Sequence, residues 1–243
     1  IEAYLDSIPR GELDIFSGVL ASLDGIDLAK NSSVDGKVYH CGSFKYSDLV
    51  GNWTDEGCGE FPTEEQNISF ASTLKSQAEA GSIYTGDLDI VTPTVLSSTY
   101  VTGDLWISSN TELSIEGVVY VEGSVRLRKG VDDYTLSGSG SLIANGSIDL
   151  RKVSGFGASG DSILMSLNGD ITFKKGGNLE ALLYAPNGDI SFDKGMVVSG
   201  GIVGGSITVK QGSSLVYNPK TSSFDLPGGY SGYFVLRSYS INS

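Results

Sequence analysis

The sequence predicts an all-β chain: a parallel β-solenoid (β-helix) with an irregular disulfide-containing insertion and a short helix. Three observations point there. A glycine-led pentad recurs seven times. Each pentad has the two-residue period of a half-buried strand. The segments between pentads look like strand and turn, with no dozen residues of helix for a βαβ crossover.

The pentads read GDLDI from Gly86, GDLWI from Gly103, GSVRL from Gly123, GSIDL from Gly146, GDITF from Gly169, GDISF from Gly188 and GSITV from Gly205. Successive glycines lie 17, 20, 23, 23, 19 and 17 residues apart. The third and fifth positions, such as Leu105 and Ile107, face one way. The residue between them (Asp89, Trp106, Arg126, Asp149, Thr172, Ser191, Thr208) faces the other. A second apolar run precedes many of the glycines, as in Leu142-Ile143-Ala144 and Leu182-Leu183-Tyr184-Ala185, and a third follows several strands, as in Met196-Val197-Val198. The same strand returns in one orientation, so the economical packing stacks each coil about 4.8 Å above the last. Glycine then serves corners where φ is positive or where one coil crowds the next. Asn145, Asn168 and Asn187 share one corner. Their amides could bond along the stack, or simply suit a turn.

Upstream, Gly25-Ile26-Asp27-Leu28 and Val34 to Tyr39 resemble one more coil. The stretch 41–80 departs from the repeat. It holds a short helix from Ser69 or Ala71 through Ala80, with Phe70, Leu74 and Ala78 on one face. Either this helix or the segment 1–23 is expected to cap the first end of the stack, because exposed strand edges need cover. Pro219 and Pro227 end the repeat, and the aromatic tail should cover the last coil. The resulting division is an N-terminal capping or linker segment (1–24), a solenoid (25–219) with its insertion at 41–80, and a C-terminal capping tail (220–243).

Composition narrows the chemistry. The net charge is −13 and there is one histidine, His40, so a zinc site built on several histidines is excluded. No run of 18 apolar residues occurs, and no membrane insertion by this segment is expected. Cys41 and Cys58 enclose 16 residues. We read them as a disulfide, with two free thiols as the alternative; the bond would stabilise by about 3 kcal/mol on a chain-entropy basis and fit an extracellular or cell-surface protein. Four N-glycosylation sequons, at Asn31, Asn52, Asn67 and Asn145, agree with secretion.

The candidate binding residues follow the pentad strands: Arg128, Lys129, Arg151, Lys152, Lys174, Lys175, Lys194 and Lys210. They are eight of the 16 basic residues and would line one corner over five coils. Such a stripe could hold DNA or an acidic glycan; equally, corner lysines keep an edge soluble. Asp87, Asp104, Asp170 and Asp189 each follow a pentad glycine. They would bring oxygens together, but no calcium-loop spacing accompanies them, and no metal or cofactor is assigned. Asp132-Asp133 could make a local acid–base contact. No spacing singles out a catalytic pair, so no catalytic residue is assigned and the chain is read as a non-enzyme. A carbohydrate-active parallel β-helix enzyme is the remaining alternative. Trp106 is expected to point outward, with Tyr84 and Tyr120 on neighbouring strands.

The pentads, together with Ser76 to Thr85 (SQAEAGSIYT) and Leu183-Tyr184-Ala185-Pro186-Asn187-Gly188, resemble prokaryotic surface proteins associated with type IV pili. The resemblance covers roughly Gly25 to Pro219. Members look like a pilin-type membrane helix followed by a β-solenoid, and some are minor pilins or tip components. The hydrophobic helix is not within this sequence. The resemblance implies a noncatalytic extracellular element in adhesion or surface display, with pilin-like or cell-surface proteins as partners. A suspected role of related solenoids in DNA capture would fall on the cation stripe.

Overall fold

In a computed structural model, residues 64–206 are described with their side chains, apart from 131–133, 152, 158–161, 193–195 and 201. Eight further strands are placed by their backbone pairing: Gly18–Ser22, Gly25–Leu28, Gly36–His40, Ser43–Tyr46, Trp53–Gly57, Ile207–Lys210, Ser214–Val216 and Ser238–Asn242. Cys41 and Cys58, and with them the expected disulfide, lie outside the described residues, as do Asp132-Asp133.

The chain is a β-solenoid of three faces, and every strand pair among the described residues is parallel. The seven pentads share one ten-stranded face, beginning at Leu88–Ile90. The strands before the glycines form a seven-stranded face from Ser82–Tyr84 to Ile202–Gly204, so six turns separate its first strand from its last. The third face consists of a three-stranded and a four-stranded sheet, joined by a bridge between Gly138 and Phe156. Leu105 pairs with Leu88 and Val125, and Ile171 with Ile148 and Ile190, in one continuous inner column. These side chains are fully buried from Leu105 onward. Phe173 and Phe192 stack at 5.5 Å between ring centroids.

The second pentad position explains itself in the stack. The Asp87 Oδ1 accepts the backbone N–H of Asp104, and the Asp104 Oδ1 accepts that of Ser124. Ser124 Oγ then takes the N–H of Ser147, and Ser147 Oγ that of Asp170. Asp170 takes the N–H of Asp189, and Asp189 that of Ser206. One side-chain oxygen per coil thus satisfies a corner donor of the next. The glycines are there for proximity. A Cβ on Gly103 would lie 2.4 Å from Asp87 Oδ1 and 2.6 Å from the Gly86 carbonyl carbon. Of the pentad glycines only Gly86 has a positive φ, 87°.

Helix α1 (Glu64–Glu79) starts earlier than the apolar spacing predicts. Pro62-Thr63-Glu64-Glu65 is a start signal, and two carboxylates in the first turn suit the helix dipole. Asn67, Ala71, Leu74 and Ala78 form its buried stripe. The helix does not cap an end. It lies along the outside of the seven-stranded face, over Tyr120, Ile143, Met165 and Tyr184. This face is buried on both sides: Ser141–Ala144, Ile163–Ser166 and Leu182–Ala185 have no exposed position. The ten-stranded face instead alternates buried and half-buried, as a sheet with one open side does.

Tyr184 Oη bonds Asn67 near the start of α1, and the helix ends beside Ser82, the first residue of the seven-stranded face. It therefore runs against the direction in which the coils accumulate. Sixteen residues rise about 24 Å. Five strand steps, from Leu182–Ala185 down to Ser82–Tyr84, also span about 24 Å. This path agrees with where the upstream strands pair. Gly25–Leu28 joins the ten-stranded face at its far end, beyond Ile207–Lys210 and Ser238–Asn242, and Ser43–Tyr46 follows it. Gly36–His40 belongs to a separate three-stranded sheet with Gly18–Ser22 and Trp53–Gly57. A helix that travels down the stack has to be entered from the far end.

Candidate functional site

Three residues of the expected cation stripe are held by their backbone directly over the coil below. The backbone N–H of Arg128 bonds Ile107 O, that of Lys174 bonds Leu150 O, and that of Lys175 bonds Arg151 O, each one coil below. Lys152 and Lys194 lie outside the described residues, and Lys210 is placed only by pairing with Asn242. Carboxylates compensate the stripe from within. Arg128 Nε lies 2.9 Å from Asp89 Oδ1, and its Nη2 also bonds Asp89. Lys174 Nζ pairs with Asp149 Oδ2. Arg126 Nε stands 3.8 Å from Asp104. Both Asp89 and Asp149 occupy the outward position of earlier pentads. Sequence reasoning missed them as partners because 39 residues separate Asp89 from Arg128, and only the coil register brings them together.

Trp106 points outward, as its place between Leu105 and Ile107 requires. The Arg128 guanidinium lies 4.3 Å from its ring centroid and that of Arg126 5.8 Å, so two cations flank its π-system. It shares no row with the tyrosines. Tyr84 and Tyr120 belong to the seven-stranded face, Tyr84 exposed at the first coil and Tyr120 buried under α1. Thr172 and Ser191 continue the outer row of the pentad face and bond through their hydroxyls at 3.2 Å. The corner acids Asp87, Asp104, Asp170 and Asp189 each spend one oxygen on the next coil. Among the described residues no three His, Cys, Asp or Glu side chains converge as a metal site, and no helix is long and apolar enough to cross a membrane.

Between α1 and the seven-stranded face lies a charged cluster that the sequence did not announce. Lys75 Nζ bonds Glu122 and sits 5.1 Å from the Tyr100 ring and 5.8 Å from that of Tyr120. Tyr100 Oη donates to Glu122 at 2.7 Å. The hydrogen bond to Glu122 raises the Lys75 pKa against the cost of burial. Burial pushes Glu122 up, but the bonds from Lys75 and Tyr100 together outweigh it and hold the carboxyl below its ordinary value. The Asn67 sequon is structural, because its side chain is buried against Tyr184.

Beside this cluster the helix and the asparagine corner enclose an open cleft of about 410 Å³. Glu64, Ile68, Ser72 and Lys75 line one wall. Asn145, Leu167, Asn168 and Asn187 line the other, and Tyr120 also contributes. The asparagines form a partial ladder. Asn168 Nδ2 donates to Asn145 Oδ1 at 2.8 Å, whereas Asn187 Nδ2 donates to the Leu167 carbonyl at 3.0 Å.

No curated protein and no solved structure matches the chain. A family model does match residues 62–224, from just before α1 to beyond the last strand of the third face. The chain therefore belongs to the DUF7305 family, a domain of unknown function.

Proposed function

We propose that this chain is a noncatalytic extracellular β-solenoid, a pilus-associated or cell-surface component that displays side-chain rows on a rigid stack. One observation carries the reading: each corner from Asp87 to Ser206 is tied to the next by a side-chain-to-backbone bond, while α1 straps six of the coils along one flank. Such a body holds surface groups at fixed spacing. The expected Cys41–Cys58 disulfide and the likeness to type IV pilus-associated solenoids support placing it outside the cell. Binding of DNA or acidic glycans through the stripe is the weaker reading, because Asp89 and Asp149 already compensate Arg128 and Lys174.

Antibody labelling of intact cells, followed by shearing of surface appendages, tests the proposal. Label on unpermeabilised cells and recovery with the sheared appendages are expected. Recovery in the cytosolic fraction alone, with reactive free thiols at Cys41 and Cys58, would overturn it.

A further inference from the structure

Rigid display leaves the cleft beside α1 without a role. We propose that it binds a short neutral oligosaccharide. The cleft, at about 410 Å³, falls in the range of small-molecule sites, roughly 300–1,000 Å³. Its asparagine wall spans three successive coils, about 10 Å along the stack.

The polar groups in it are pre-oriented. The Asn168–Asn145 bond fixes two carboxamides, and the Leu167 carbonyl fixes the third, that of Asn187. What remains along the corner is a donor, Asn145 Nδ2, followed by two acceptors, Asn168 Oδ1 and Asn187 Oδ1. None of these three atoms has a hydrogen bond among the described residues. Sugar hydroxyls both donate and accept, so they match a row of mixed polarity. Groups already held in place lose little entropy on binding. Ile68, 60 % exposed, and the half-buried Leu167 offer apolar surface to the C–H face of a sugar ring.

Two features exclude other ligand classes. The Lys75 charge is taken by Glu122, and the exposed Glu64 carboxylate stands on the same wall, so the cleft has no cation to spare for an acidic sugar or a phosphate. A peptide adding as a strand needs open backbone groups. Here the corner N–H groups of Leu167, Asn168 and Gly188 are bonded to Ala144, Asn145 and Ala185, and the other wall is a helix. Recognition falls to side chains. The argument holds wherever the protein resides, and sugar binding by a cytosolic protein would leave it standing while removing the surface reading.

The test is calorimetric titration of the purified chain with neutral tetrasaccharides of β-1,4-glucose, β-1,4-N-acetylglucosamine, α-1,4-glucose and α-1,6-mannose. Tetragalacturonate and tetra-alanine complete the panel. At least one neutral tetrasaccharide should bind with Kd tighter than about 1 mM. Ser72→Trp fills the cleft from an exposed helix position and should weaken that binding at least about tenfold without lowering Tm. Asn187→Ala should weaken it less. The proposal is overturned if no neutral tetrasaccharide binds, if Ser72→Trp leaves binding intact, or if tetragalacturonate or tetra-alanine binds more tightly.

Discussion

Asp104 accepts the N–H of Ser124 at 2.7 Å while its own N–H is held by Asp87 at 2.8 Å, so one residue is bonded to the coil above and the coil below. Ser124 and Ser147 do the same work in the next two coils. Asp104→Ala should therefore cost about 1–3 kcal/mol in urea denaturation, the penalty for a corner donor left without its acceptor. Asp104→Ser should recover most of that loss. Equal losses in the two variants would show that the oxygen at this position is not what matters.

The strap depends on a narrow contact. Leu74 is buried on the apolar stripe of α1, and Leu74→Ala should cost about 2–5 kcal/mol. The loss should fall on the helix first. Circular dichroism would show reduced helicity with the β signal kept, and a dye such as ANS would bind the uncovered face of Ile143 and Met165. Unfolding of helix and sheet in one step would show that the strap has no separate stability.

Acidity should loosen the same seam. The Glu122 pKa is lower folded than its ordinary value of 4.5. Its contribution is therefore complete above about pH 4.5 and is lost as pH falls through the lower folded value. Lys75 has a raised pKa, so its contribution is complete below its ordinary value of 10.5 and is lost at more alkaline pH. Melting temperature against pH should fall on the acid side in the native chain. Glu122→Gln should be less stable at neutral pH and show a shallower acid limb.

Self-compensation of the stripe can be undone. Asp89→Asn and Asp149→Asn together would release Arg128 and Lys174. The double variant should elute from immobilised heparin at higher salt than the native chain and bind duplex DNA more tightly at low ionic strength. Exposed pairs of this kind contribute little to stability, so Tm should barely move. Unchanged elution would mean that these carboxylates do not control the stripe.

Much of the fold was legible because solenoid coils repeat their physics. Glycine, a short oxygen-bearing side chain and two inward apolar residues mark the same corner and strand seven times, and Leu105 or Ile171 could be placed inward without coordinates. The covered flank was also written in the chain. Leu142-Ile143-Ala144 has no polar alternation, as expected of a strand buried on both faces. The path of Gly25–Leu28 was not readable, since a parallel strand fits either end of a parallel stack. The Arg128–Asp89 and Lys75–Glu122 pairs escaped for a related reason. Each joins residues tens of positions apart whose proximity depends on coil register or on where the helix lies. The asparagine corner was half visible: Asn145 and Asn168 form the expected amide contact, whereas Asn187 turns to a carbonyl.

The matched lengths of α1 and the strapped coils make the helix a ruler. Removing one coil would shorten the sheet by about 4.8 Å, roughly three helical residues and close to a full turn. The helix would then overrun its track unless it lost nearly a turn as well, which would keep Leu74 and Ala78 facing inward. Natural size variants of this architecture should accordingly gain or lose whole coils and helical turns together.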